Sequence, residues 1–331
     1  MMKKRLITMV LAGALTVAAL SGCAGTSSSD GQTADDAYNI ALIVKLTDGH
    51  FNKVMAGAQA YADTHDNVNV EIQSPPSATS YEEQLNMIET ALSNPGIDAL
   101  IISPLQSDSA STIVANAEKP IIALDTDFTS DKKSAFVGTG NEDAAAQGGA
   151  AAIEAAKARG VENPTAVILT GVQGDETHEA RLKGYTEGAT AAGGSIVEVQ
   201  YCDAQADRAA LAMEGIMQKH PDGIDVVLST NDDMALAAAK IIHDAKNDVY
   251  SDTVICGFDG NQAAISALQT GELTVDVAQL GYDMGYKAME AMTALLDGQA
   301  VESFIDSGSQ VVTADNVDDY IADMTAKGLW E

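Results

Sequence analysis

The chain has few of the residues that would place it in several large classes. Its three cysteines, Cys23, Cys202 and Cys256, cannot form a disulfide framework across 331 residues. Cys202 and Cys256 lie in apolar, strand-like surroundings and are expected to be buried free thiols. Five scattered histidines and no zinc-type Cys/His spacing give no metal site, and no cofactor is expected. Positive charge is scarce: 18 Lys and Arg stand against 48 Asp and Glu, for a net charge of −30. That balance excludes nucleic acid as a partner and adsorption to an anionic membrane surface. Catalytic motifs are also missing. There is no Gly-x-Ser-x-Gly elbow, no Walker loop and no His-Glu-x-x-His. Gly171-Val-Gln-Gly174 follows a strand but lacks the third glycine of a dinucleotide fingerprint. Asp125 and Asp259 would serve as a glycosidase pair only if one acid were held in an apolar site, which the sequence does not show. The expectation is a protein without catalysis.

What the chain does have begins at its N-terminus. Lys3, Lys4 and Arg5 precede an apolar run from Leu6 to Leu20, the pattern of a secretory signal. The run is too short and too rich in small residues to span a membrane. It ends in Leu20-Ser21-Gly22-Cys23, which resembles the bacterial lipobox, whose cysteine is acylated and becomes the first residue of the mature chain. From Ala24 to Ala37 the composition is Ser, Thr, Gly, Gln and Asp, which cannot bury enough apolar surface to fold. Residues 1–22 are therefore read as a lipoprotein signal peptide and 23–37 as a flexible tether. The body would be soluble and held to the cell membrane, on its extracytoplasmic face, through lipid on Cys23. The signal carries three basic and no acidic residues, so its removal takes the net charge from −30 to −33.

From Asn39 onward short apolar runs alternate with amphipathic helical stretches. The runs at Asn39–Val44, Asp98–Ser103, Pro120–Leu124, Ala166–Leu169, Asp225–Leu228 and Val254–Phe258 suit strands buried on both faces. Ser80 with Glu83 predicts a capping box, followed by Leu85, Ile88 and Leu92 at helical spacing toward a core. This alternation indicates an α/β fold with parallel sheets wound by helices on both faces. About eleven strands are too many for one compact sheet, so two similar lobes are expected. Val137-Gly-Thr-Gly-Asn141 is the expected first passage between them, with a plain strand-to-helix loop as the alternative.

Polar residues recur where these strands end. Lys45, Asp48, His50 and Phe51 follow the first, Asp125 and Asp127 another, Asn231 and Asp232 another, and Asp259 the last of the six. Arg181 falls on the helix after Gly171–Gly174. Open α/β sheets bind ligands at those ends. Carboxylates and an amide accept from hydroxyls while Arg and Lys donate to them, which suits a polyhydroxylated ligand. His50 and Phe51 offer rings to stack on its apolar face. Each acidic residue or amide alone reads equally as a turn former or helix cap.

Taken in order, Asn231-Asp-Asp-Met-Ala-Leu236, Gly257-Phe-Asp-Gly260 and Val275-Asp-Val-Ala-Gln279 resemble the type I periplasmic sugar-binding proteins, in their ribose, allose and galactose/glucose branch. The resemblance extends from Tyr38 to about Tyr320. It implies two doubly wound lobes joined by a three-strand hinge, residues 38–139 plus 280–306 and 140–279 plus 307–331. It also implies a monomer that captures a monosaccharide between its lobes and delivers it to an ABC transporter permease. Carried over by position, the ring-hydroxyl contacts fall on Asp125, Arg181, Asn231, Asp259 and Gln279, with Lys45, Asp48, His50 and Phe51 in the first loop. Several positions depart from the ribose pattern: His50 stands at an aromatic position, Thr126 and Glu179 at arginine positions, and Ala206 at a stacking position. These leave open a non-sugar polyol such as an inositol, a nucleoside or a quorum-signal furanone. A sensor docking on a chemoreceptor or histidine kinase also remains open.

Overall fold

The computed structural model describes residues 37–47, 49–77 and 79–330. The signal, Cys23 with most of the tether, and Asp48 lie outside the described residues. β1 (Tyr38–Ile43), α1 (Gly49–Asp63), β2 (Val68–Gln73), α2 (Tyr81–Ser93), β3 (Ala99–Ile102), α3 (Ser107–Val114), β4 (Ile121–Leu124) and β5 (Lys133–Gly138) alternate strand with helix. The pattern continues through α4 (Asn141–Ala158), β6 (Thr165–Thr170), α5 (Glu176–Ala191), β7 (Ser195–Tyr201), α6 (Ala206–Lys219), β8 (Val226–Ser229), α7 (Asp232–Ala245), β9 (Val254–Asp259), α8 (Gln262–Thr270) and β10 (Val275–Gln279). The chain ends with α9 (Gly281–Leu296), β11 (Phe304–Asp306), β12 (Ser309–Thr313) and α10 (Val317–Ala326).

The strands form two six-stranded sheets, ordered β11-β5-β4-β3-β1-β2 and β12-β10-β9-β8-β6-β7. The first is parallel throughout, and in the second only β12 runs antiparallel. This is the expected pair of doubly wound lobes. The near-continuous apolar runs follow from it, because each inner strand feeds a core on both faces. In β1, Ile40 and Leu42 enter one core and Ala41 and Ile43 the opposite one. In β9, Cys256 and Phe258 face one side and Ile255 the other. Cys202 and Cys256 are buried and free.

Close helix pairing completes each lobe. α1 lies against α9, where Gly57 meets the backbone of Tyr282 and Gly285 that of Val54, so a Cβ at either glycine would collide with the neighbouring backbone. Glycine in a helix costs about 0.5–1 kcal/mol relative to alanine, and here the close approach is what that cost obtains. α2 departs from its expectation. Ser80 is the N-cap residue, but its side chain makes no capping bond. Its hydroxyl instead pairs with that of Ser77 at 2.9 Å. The most deeply buried positions of α2 are Gln84, Ile88 and Ala91, while Leu85 and Leu92 are half-buried. The Gln84 amide donates to the carbonyls of Val44 and Ser103 and accepts from the Leu105 amide, tying the ends of β1 and β3 together.

The chain passes between the sheets three times: from β5 into α4, from β10 into α9, and from β11 into β12. Hydrogen bonds join these passages. Ser307 N donates to Gly138 O at 2.8 Å, Thr139 Oγ1 to Gln279 Oε1 at 2.9 Å, and Leu280 N to Gly308 O at 3.4 Å. Gly140 N and Gly308 N both donate to Asp306 Oδ1.

Candidate functional site

The carboxyl ends of β1 and β4 bring together one group of predicted residues. Asp125, just past β4, accepts or shares a hydrogen with His50 Nε2 at 2.9 Å, and Lys45 Nζ lies 3.8 Å from its other oxygen. The Thr126 hydroxyl donates to that same oxygen at 3.1 Å. Burial pushes the Asp125 carboxyl up, but the bond and charge of His50, with Lys45 and Thr126, outweigh it and hold the group well below the carboxylate range. Phe51 is 4% exposed; it packs in the first-lobe core and meets His50 edge-on, with ring centroids 5.1 Å apart. Asp127 turns away to Lys133 and to the Phe128 amide, the role of a turn former.

The second group sits at the ends of β6, β8, β9 and β10. Arg181 projects from α5, whose first turn is capped by Asp175 accepting from the His178 amide. Its Nε donates to Asn141 Oδ1 at 2.8 Å, and its Nη1 to Thr230 O at 2.8 Å and Asp259 Oδ1 at 3.2 Å. The guanidinium lies 3.8 Å from the centroid of the Phe258 ring. Gln279 donates to the same Asp259 oxygen at 2.7 Å and is itself held by Thr139. Burial pushes Asp259 up, while Arg181, His50 and Gln279 oppose it. Asn231 acts as N-cap of α7: its Oδ1 accepts from the Met234 amide and its Nδ2 donates to Ala204 O.

The two groups adjoin across the lobe boundary, where Lys53, one turn along α1 from His50, donates to the carbonyl of Gly260, the residue after Asp259. His50 and Asp125 of the first lobe both act on the charge of Asp259 in the second. Two cations, Lys45 and Arg181, balance two carboxylates, Asp125 and Asp259. The shell brings cationic donors and carboxylate acceptors close together within a chain of net charge −30.

Two further residues belong to this region and are not evident from the sequence alone. His178 packs on Gly171 and its Nδ1 bonds the Thr230 hydroxyl at 2.9 Å. Burial, then Arg181 and Lys45, hold its imidazole down to about 4, so it is uncharged near neutral pH. Lys53 of α1 is 7% exposed and reaches the second lobe, where its Nζ donates to Gly260 O at 2.7 Å. Its signal is helical spacing: it shares the buried face of α1 with His50, Val54, Gly57 and Tyr61. Among the described residues no group of His, Cys, Asp and Glu is arranged to hold a metal ion.

The periplasmic binding protein domain matches residues 40–300. The Ribose import binding protein RbsB of Escherichia coli (strain K12) is 27% identical over 306 residues, covering 91% of this chain and 95% of that protein. The D-ribose/D-allose-binding protein of Pseudomonas aeruginosa is 25% identical over 326 residues, covering 94% and 99%. Among solved structures, the ABC transporter periplasmic solute binding protein of Actinobacillus succinogenes 130z, with bound D-allose, superposes with a TM-score of 0.73 at 23% identity, covering 86% of this chain and all of that one. The chain belongs to the type I periplasmic sugar-binding protein family.

Proposed function

We propose that the protein captures a monosaccharide, a pentose or hexose of the ribose or allose kind, between its lobes and delivers it to an ABC transporter. The observation that carries this reading is the set of cationic donors and carboxylate acceptors, Lys45, Asp125, Arg181, Asp259 and Gln279, at the strand ends of the two lobes. Carboxylates accept from ring hydroxyls, and Arg181 and Lys45 donate to them. Asn231 keeps a second amide hydrogen for the ligand beyond its capping role. His50, backed by Phe51, forms the wall beside Asp125, and Asp48, which precedes them in the sequence, is proposed as a further ligand contact. The relatives are binding proteins, and the site needs no chemistry beyond recognition: a ligand that bridges both lobes favours the closed arrangement by its differential affinity for it. Micromolar affinity, about −8 kcal/mol, would be sufficient.

Calorimetric titration of the full chain with D-ribose, D-allose, D-galactose, an inositol, a nucleoside and an amino acid tests the reading. Saturable binding of one sugar supports it; binding confined to the non-sugars would keep the receptor and retire the sugar. The protein acts outside the cytoplasm as a monomer, tethered by acylated Cys23. Replacement Cys23→Ser is expected to move it from the membrane fraction to the soluble fraction, and a wild-type Cys23 without lipid by mass spectrometry would refute the tether.

A further inference from the structure

The buried face of α1 carries a lysine among His50, Phe51, Val54, Gly57 and Tyr61. A buried ammonium needs partners, and Lys53 finds both of its hydrogen bonds in the other lobe. Nζ donates to Gly260 O at 2.7 Å and to the Tyr320 hydroxyl at 3.1 Å, and lies 5.7 Å from the Tyr320 ring centroid. Gly260 directly follows Asp259 of the ligand shell. Behind it, Asp232 and Asp276 are fully buried and converge over Gly257, where a side chain would strike both carboxyls. One Asp232 oxygen accepts from the Asn261 amide at 2.7 Å, and the Asp232 and Asp276 carboxyls lie within hydrogen-bonding reach of each other, with the Gly260 amide beside Asp276. The second lobe thus presents a carbonyl, a hydroxyl and a buried acid pair toward one point, and the first lobe places a cation there.

We propose that Lys53 is a positioning residue for closure, an interlobe latch that holds the two lobes together without touching the ligand. This rests on reading the chain as a hinge-closing sugar receptor. The groups facing the ammonium are Asp232 from α7, Asp259 from the end of β9, Asp276 from β10 and Tyr320 from α10, with His50 on its own helix. Burial acts against the charge, and Asp276, Asp232 and Asp259 act for it. A charged hydrogen bond of this kind is worth about a tenfold shift in an equilibrium. Affinity for a ligand that requires the closed arrangement scales with the closed fraction, so the latch sets affinity from outside the ligand shell.

The test uses the full chain as wild type, Lys53→Met, Lys53→Arg and Tyr320→Phe. Small-angle scattering reads closure without ligand, and titration with D-ribose and D-allose reads affinity. Lys53→Met is expected to enlarge the ligand-free particle and weaken sugar binding about tenfold, Lys53→Arg to restore most of both, and Tyr320→Phe to lose a smaller part. An unchanged radius of gyration together with unchanged affinity in Lys53→Met overturns the latch. Should Lys53→Met not unfold cooperatively, Tyr320→Phe decides instead, and a wild-type radius there overturns it. If neither sugar binds the wild type, the sugar reading fails alone and the scattering comparison still decides the latch.

Discussion

Asp276 occupies an interior position of β10 between Val275 and Val277 and is fully buried. Burial pushes its carboxyl up to about 6, with the nearby Asp259 acting the same way and the Asp232 hydrogen bond and Lys53 opposing, and burial together with Asp276 pushes Asp232 up as well. A group raised when folded contributes stability that is complete below its unfolded value of 3.8 and lost as the pH rises through about 6. A rise of that size corresponds to on the order of 3 kcal/mol. The stability of Asp276→Asn relative to wild type, from urea unfolding, is therefore expected to climb by that order between about pH 4 and about pH 7. A difference flat across that range would rule out the raised Asp276 carboxyl. Asp125 and Asp259 show a second kind of cost, at the carboxyl ends of β4 and β9: both have positive φ, 60° and 129°, where a non-glycine residue is strained by about 1–3 kcal/mol. Their position where β4 and β9 end is legible in the sequence, and their backbone angles are not. Lys53 escapes a sequence reading for a different reason. A lysine in a helix is ordinarily solvated, and only the packing of α1 across the lobe boundary removes it from water.

Among the elements, legibility follows burial. β1, β3, β4, β6, β8 and β9 are inner strands covered on both faces, and each reads as an unbroken apolar run. β2 and β7 are edge strands with alternating exposure, written Val-Asn-Val-Glu-Ile-Gln and Ser-Ile-Val-Glu-Val-Gln-Tyr. Alternation of that kind is a weaker signal over six or seven residues. β11 has three residues, and only pairing with β5 defines it. The capping box at Ser80 failed because side chains compete: its hydroxyl bonds Ser77, and the helix start is held by the buried Gln84 amide instead. Asn231, by contrast, is both a cap and a member of the candidate site, since α7 begins where β8 ends. Its neighbour Asp232 lies in the first turn of α7, where a carboxyl favours the positive end of the helix dipole. Residue type and spacing reveal the candidate site; the bonds that orient its members arise from contacts between distant segments.

For the molecule as a whole, the net charge of −30 sets the electrostatic background. Self-repulsion weakens the compact state and is screened by salt. Raising sodium chloride from about 10 mM to about 0.5 M shortens the Debye length from about 30 Å to about 4 Å. The melting temperature by calorimetry is expected to rise across that range, and a constant or falling value would show that the surface charges are already locally compensated. The threefold passage between sheets has a consequence of another kind. α9, which carries Met284, Met289 and Met292 into the core beside β1, is made after every parallel strand of the second sheet, and β11 follows it. On the ribosome the native first lobe therefore cannot be finished until residue 306 has emerged, by which point the second lobe lacks only β12 and α10. Neither half can act as a completed template for the other, and a chain of this topology reaches its native state only after the strands beyond β10 have emerged.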